Sequence, residues 1–225
     1  MTAASGSAVT ARAPLRLAIL ISGRGSNMVA IARSGAPVAV VISDKPDAGG
    51  LALASSLGIE TRAVPWLGAA RRADFEAALG QAIDESGADL VVLAGFMRIL
   101  SGPFAERYAG RMLNIHPSLL PKYRGLHTHQ RVLEAKDTEH GASVHFVTAE
   151  LDGGPLVLQS RVAVLADDTE ATLSARVQAT EHIIYPRVIG WIADGRLRWH
   201  DGQAWLDNRP LDRPVVEDFG EAAKS

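Results

Sequence analysis

Apolar residues fall along this chain in two spacings, and the order in which the spacings alternate predicts the architecture. Residues 15–22 form a short apolar run rich in β-formers, broken by Gly23-Arg24-Gly25-Ser26-Asn27. A helical repeat then carries Met28, Ile31 and Ala32. Residues 38–43 read as a second buried strand, 49–57 as a helix and 60–64 as a third strand. Residues 71–86 place Phe75, Leu79, Ala82 and Ile83 on one face of an amphipathic helix. Residues 89–94 are apolar after the first position, the mark of a strand covered on both faces. Strand, helix, strand, helix in this rhythm predicts parallel βαβ units with right-handed crossovers, and thus a Rossmann-like first half in an α/β protein.

The second half is less regular. Residues 112–115, 143–147 and 156–164 read as strands, and residues 169–189 as a long helix with Asp168 or Thr169 as its N-cap. Residues 197–206, turning at Asp201-Gly202, read as a hairpin. No internal repeat or interdomain linker interrupts the pattern. The expected organisation is one domain over residues 15–207, a disordered leader over 1–14 and a loose tail over 208–225.

Composition narrows the function. The formal charge is −2 and no Lys/Arg block stands out, which argues against a nucleic-acid partner. There are no cysteines, so disulfides, thiol nucleophiles and cysteine-based zinc sites are excluded, in keeping with a cytoplasmic location. No apolar run approaches the roughly 20 residues that span a bilayer, so no membrane partner is expected.

Candidate chemistry sits where strands end. Gly23 to Asn27 joins a strand to a helix, so its backbone N–H groups and the helix dipole suit an anion, although a plain capped turn would look alike. The third glycine of a dinucleotide fingerprint and the Lys of a Walker loop are both missing. Ala94-Gly95-Phe96-Met97-Arg98-Ile99-Leu100 follows a buried strand, as pocket wall or as core. In Asn114-Ile115-His116-Pro117-Ser118-Leu119-Leu120-Pro121, an amide and an imidazole lie two residues apart at the end of a strand. Extended backbone points both the same way. That pair suits a reaction that builds an oxyanion and moves protons. Asp152, in Leu151-Asp152-Gly153-Gly154-Pro155, is a candidate third member, or a turn residue. Glu181 shares a helix face with Gln178, His182 and Tyr185 and could meet a substrate amine. His127 and His129 alternate, but no third ligand accompanies them, so no metal is expected.

Taken in order, these segments resemble the phosphoribosylglycinamide formyltransferases, folate-dependent enzymes of purine synthesis. Gly125-Leu126-His127-Thr128-His129, Glu139-His140-Gly141 and Ser143-Val144-His145-Phe146-Val147 complete the match, which covers residues 17–206. The resemblance implies a three-layer fold with a sheet of about seven strands, parallel in its first half and mixed in its second. It implies that Gly25, Ser26 and Asn27 hold the substrate phosphate and that Glu181 receives the glycinamide end. Met97, Arg98, Ile99 and Leu100, with Asn114 and Arg72, would contact folate. Arg24, where a small polar residue is frequent, and Arg124, where a proline is expected, depart from the family pattern.

The implied reaction is direct formyl transfer from 10-formyltetrahydrofolate to phosphoribosylglycinamide through a tetrahedral intermediate. Asn114 and a protonated His116 would stabilise the oxyanion, and Asp152 would keep His116 charged. The alternative is a formyltetrahydrofolate hydrolase or another folate-binding formyltransferase. Methionyl-tRNA formyltransferases share the Asn-x-His-Pro pattern but continue into a C-terminal barrel, and the deformylases carry an additional regulatory domain. A non-catalytic folate or nucleotide binder would not need Asn114, His116 and Asp152 together. The oligomeric state is left between monomer and homodimer.

Overall fold

The computed structural model describes residues 13–220. Its first half runs β1 (Leu17–Ile21), α1 (Ser26–Arg33), β2 (Val38–Ser43), α2 (Gly49–Ser56), β3 (Thr61–Ala63), α3 (Arg72–Glu85) and β4 (Leu90–Leu93). Then come α4 (Gly102–Arg107), β5 (Met112–His116), α5 (Thr128–Ala135), β6 (Glu139–Phe146), β7 (Leu156–Ala163) and α6 (Glu170–Ala193). The chain ends with β8 (Leu197–His200), β9 (Gln203–Leu206), β10 (Arg209–Pro210) and β11 (Val215–Asp218). The main sheet has eight strands in the order β11-β7-β6-β5-β4-β1-β2-β3, and β8 to β10 form a small second sheet.

β1 and β4 are buried along their whole length and β2 over its last four residues, as their unbroken apolar runs require, whereas β3 at the sheet edge is not. Along β1, Leu17, Ile19 and Ile21 join one core with Met28 and Ile31 of α1 and with Leu173, Val177 and Ile184 of α6. Ala18 and Leu20 join the other, with Phe75, Leu79 and Ile83 of α3 and Phe104 of α4. The result is three layers, helices on each side of the sheet. β5 pairs parallel with β4, and antiparallel with β6. The parallel half therefore meets the mixed half at β5, the strand that carries Asn114 and His116.

β1 to β7 account for the seven strands expected, and the eighth comes from the stretch expected to be a loose tail. That expectation is corrected over residues 208–220, the last five residues of the stretch lying outside the described ones: β11 pairs parallel with β7, aligning Val215 with Leu158 and Asp218 with Arg161. Without it the outer edge of β7 would present unpaired backbone groups. Two local ties favour the pairing, Arg161 Nη2 to Asp218 Oδ2 at 2.9 Å and Phe219 N–H to Arg161 O at 2.9 Å. The leader expected over residues 1–14 lies outside the described residues except for its last two. Thr169 is the N-cap of α6, its hydroxyl accepting from Thr172 N.

Candidate active site

β5 ends as the chain leaves the sheet, and its alternation sorts its side chains. Leu113 and Ile115 go to the core. Asn114 and His116 face the other way, into a cleft of about 490 Å³ at the carboxyl end of β4 and β5. Asp152 lines the same cleft. It reaches it from the loop between β6 and β7, with φ of 50° in the left-handed region. Gly154 lets that loop close tightly, since a Cβ there would lie 1.9 Å from Phe146 O.

His116 Nδ1 lies 3.5 Å from Asp152 Oδ2, and both side chains are nearly buried. His116 Nε2 lies 2.9 Å from Tyr123 O, a carbonyl that only accepts, so this nitrogen carries a proton. Asp152 Oδ2 also accepts from Gly125 N–H at 2.9 Å. A second histidine completes the group. His145 Nδ1 lies 2.9 Å from Phe146 O, so Nδ1 donates and leaves the Nε2 lone pair free. Asn114 Nδ2 donates to that lone pair at 3.1 Å. Burial lowers the His145 pKa, which keeps the ring in this neutral form. One Asn114 N–H is thereby tied back, and the amide is oriented along the cleft wall.

Met97, Arg98, Ile99 and Leu100 all line the cleft. Met97, Ile99 and Leu126 are exposed by 60%, 58% and 70%, an apolar rim that suits a flat, largely apolar ligand. The segment is fixed from below, where Met97 N–H donates to Ser22 Oγ at 2.8 Å. Arg98 Nε donates to buried Asp44 Oδ2 at 2.5 Å, and the guanidinium lies 5.2 Å from the centre of the Trp66 ring. Arg72 lies on the other approach to Trp66, at 6.0 Å, and is not part of the cleft wall.

Gly25, Ser26, Asn27 and Glu181 form a second group outside that wall. Gly25 precedes α1 at φ 77°, and no side chain caps the first turn. Neither Ser26 nor Asn27 is the cap. Asn27 instead turns inward, Nδ2 donating to Glu181 Oε2 at 2.7 Å and tying the start of α1 to α6. Burial raises the Glu181 pKa, against the lowering effect of the Asn27 amide. The uncapped N–H groups of α1 are available to an anion. His129 Nδ1 lies 2.9 Å from His140 Nε2, a histidine pair. Among the described residues no group of three or more His, Cys, Asp or Glu side chains is arranged to hold a metal ion.

The formyl transferase family model matches residues 15–189. The phosphoribosylglycinamide formyltransferase of Escherichia coli (strain K12) is 52% identical over 203 residues, 88% of this chain and 96% of that protein. The chain belongs to the formyl transferase family. The phosphoribosylglycinamide formyltransferase of Haemophilus influenzae is 44% identical, again over 88% of this chain and 96% of the relative. The solved structure of the Coxiella burnetii enzyme of that name superposes with a TM-score of 0.85 at 47% identity, over 91% of this chain and 99% of that one.

Within this family member, sequence reasoning brought Asn114, His116 and Asp152 to one place but passed over three partners. His145, the Tyr123 carbonyl and the Gly125 amide orient them. His145 had a signal: it alternates with Ser143 on a strand, and β6 aligns it opposite Asn114. The two backbone groups had none, because they belong to an irregular loop.

Proposed function

We propose that this formyl transferase moves the formyl group of 10-formyltetrahydrofolate to the amine of phosphoribosylglycinamide. The observation that carries the reading is the convergence of Asn114, His116 and Asp152 at one end of a cleft whose other wall is apolar. That the relatives are phosphoribosylglycinamide formyltransferases supports a transfer over a hydrolysis.

Bound at the apolar wall, the folate supplies an activated formyl group on nitrogen. The substrate amine forms a bond to the formyl carbon, the bond from that carbon to the folate nitrogen breaks, and one amine proton ends on the folate. The residues handle the charge and the proton. The second Asn114 N–H is directed at the formyl oxygen, where negative charge develops, and an aligned donor of this kind contributes about 100- to 1,000-fold in rate. The His116 ring faces an oxygen acceptor from each nitrogen, Tyr123 O and Asp152 Oδ2, so its doubly protonated form has a donor for each. At 3.5 Å the Asp152 contact is longer than a direct hydrogen bond, so a proton on Nδ1 is free to pass to the reacting groups or to a water between them. No activated nucleophile is needed, because the attacking atom is the substrate amine.

Gly25, Ser26 and Asn27 receive the phosphate at the start of α1, and Glu181 holds Asn27 while meeting the glycinamide end. Met97, Arg98, Ile99 and Leu100 bind the folate through backbone and apolar contacts, and Arg72 lies toward its outer end. The reaction is assigned to the cytoplasm, with no metal. Tetrahydrofolate release, followed by absorbance with and without phosphoribosylglycinamide, tests the proposal. Release that requires the glycinamide supports transfer. Equal release without it would make the protein a hydrolase, and no release in either case would make it a binder.

A further inference from the structure

The segment Tyr123-Arg124-Gly125 holds both members of the histidine–carboxylate pair. The Tyr123 carbonyl accepts from His116 Nε2 at 2.9 Å, and Gly125 N–H donates to Asp152 Oδ2 at 2.9 Å. Two residues apart, they therefore set the spacing of two side chains that come from different elements. The segment has no regular structure of its own, and Tyr123 sits at φ 57°, where L-residues are rarely stable. Something outside must hold it.

We infer that Arg131, assisted by the Arg124–Glu150 ion pair, is a positioning residue that clamps Tyr123-Arg124-Gly125 and so fixes the separation of His116 from Asp152. The inference rests on the formyl-transfer reading for its kinetic consequence, but not for its structural one. Arg131 projects from α5. Its Nη1 donates to Arg124 O at 2.7 Å and lies 3.4 Å from Leu126 O, and its guanidinium covers the Tyr123 ring at 5.2 Å. One side chain thus touches the segment from both ends, with the planar fork and stacking face that arginine has and lysine lacks. On the far side, Arg124 pairs with Glu150, two residues before Asp152. That pair ties the segment to the loop carrying the carboxylate. The Tyr123 hydroxyl is held as well, donating to Asp137 Oδ2 at 2.8 Å.

Exposed pairs of this kind contribute little to global stability. The effect is therefore local, and the loop rather than the melting temperature reports it. The test is amide hydrogen exchange at Gly125 together with steady-state kinetics, on the whole chain, for Arg131→Met, Arg131→Lys and Glu150→Gln. Arg131→Met keeps the stem and loses the fork. We expect Gly125 exchange to rise by about tenfold, the scale of one charge-assisted hydrogen bond, while the Leu113 amide in β5 is unchanged. Turnover should fall by about tenfold with KM for both substrates within about twofold, as for a residue that orients catalytic groups without touching substrate. Arg131→Lys should recover part of each effect, and Glu150→Gln should show a smaller version. Unchanged Gly125 exchange in Arg131→Met overturns the clamp, and raised exchange with wild-type turnover overturns its positioning role. If the unmodified protein fails to transfer formyl groups, the functional proposal falls while Gly125 exchange still decides the clamp.

Discussion

Replacing His145 isolates the interaction that orients Asn114. The side chain is 3% exposed and makes two hydrogen bonds, to Phe146 O at 2.9 Å and from Asn114 Nδ2 at 3.1 Å. His145→Ala removes both. Each neutral bond contributes about 1 kcal/mol, and a polar group left unpaired in a buried place costs about 1–3 kcal/mol more. With the space left by the ring, the loss of stability should reach about 2–4 kcal/mol. The kinetic loss has a separate origin. Asn114 keeps its place on β5 but loses the acceptor that sets its amide, and misplacing a catalytic group by about 1 Å costs on the order of 100-fold. Turnover should therefore fall by about 10- to 100-fold, measured as tetrahydrofolate release at saturating substrates, with urea melts for stability. Two further variants separate orientation from packing. His145→Gln can offer an oxygen near the place of Nε2 and accept from Asn114, whereas His145→Asn can replace only the donor to Phe146. The expected order of turnover is Gln above Asn, with Asn near Ala. Equal turnover for Gln and Asn, or wild-type turnover for Ala, would refute the reasoning.

Three other perturbations follow from the same geometry. The Glu181 pKa is raised by burial, so wild-type stability is lost as pH rises past the ordinary carboxyl range. Glu181→Gln, which can still accept from Asn27, should melt above the wild type at pH 8, and the gap should close toward pH 4; a gap independent of pH would contradict this. Burial, reinforced by His129 and His116, lowers the His140 pKa from 6.5 to about 3, with Asp137 opposing. Its neutral form contributes stability that is lost as pH falls from 6.5 toward 3, so His140→Gln should flatten that part of the stability–pH curve measured by denaturant titration. Gly154→Ala would force a Cβ to 1.9 Å from Phe146 O, a backbone atom that cannot turn aside. It should cost more than about 2 kcal/mol in a thermal melt and lower turnover through Asp152, two residues away.

The first half of the fold was legible because its interior strands are covered on both faces and its helices on one. Continuous apolar runs in β1, β2 and β4, and the repeat of Phe75, Leu79 and Ile83 in α3, carry that information locally. α4, of six residues, is too short for periodicity to mark, and α5 buries only Thr128 and Val132, so it carries no apolar repeat. β6 begins at Glu139, earlier than expected, because a buried histidine and a glycine open it; a Cβ on Gly141 would lie 1.8 Å from Ser160 O across the ladder. β11 exists because an edge of β7 needs a partner, which its own four residues do not announce. The site divides the same way. Asn114 and His116 were readable because strand alternation is local. The approach of Asp152 to His116, the pairing of His145 with Asn114 and the inward turn of Asn27 toward Glu181 are long-range contacts, set by strand order and helix packing.

The central claim is that Asp152, acting through His116, assists proton movement during formyl transfer. Asp152→Asn is nearly isosteric and can still accept from Gly125 N–H, so the loop should keep its shape while the charge is lost. The decisive measurement is its turnover number beside its dissociation constant for a folate analogue. A fall in turnover of about 100-fold or more, with affinity changed less than about twofold, is the predicted result. Turnover close to that of the unmodified enzyme would contradict the account.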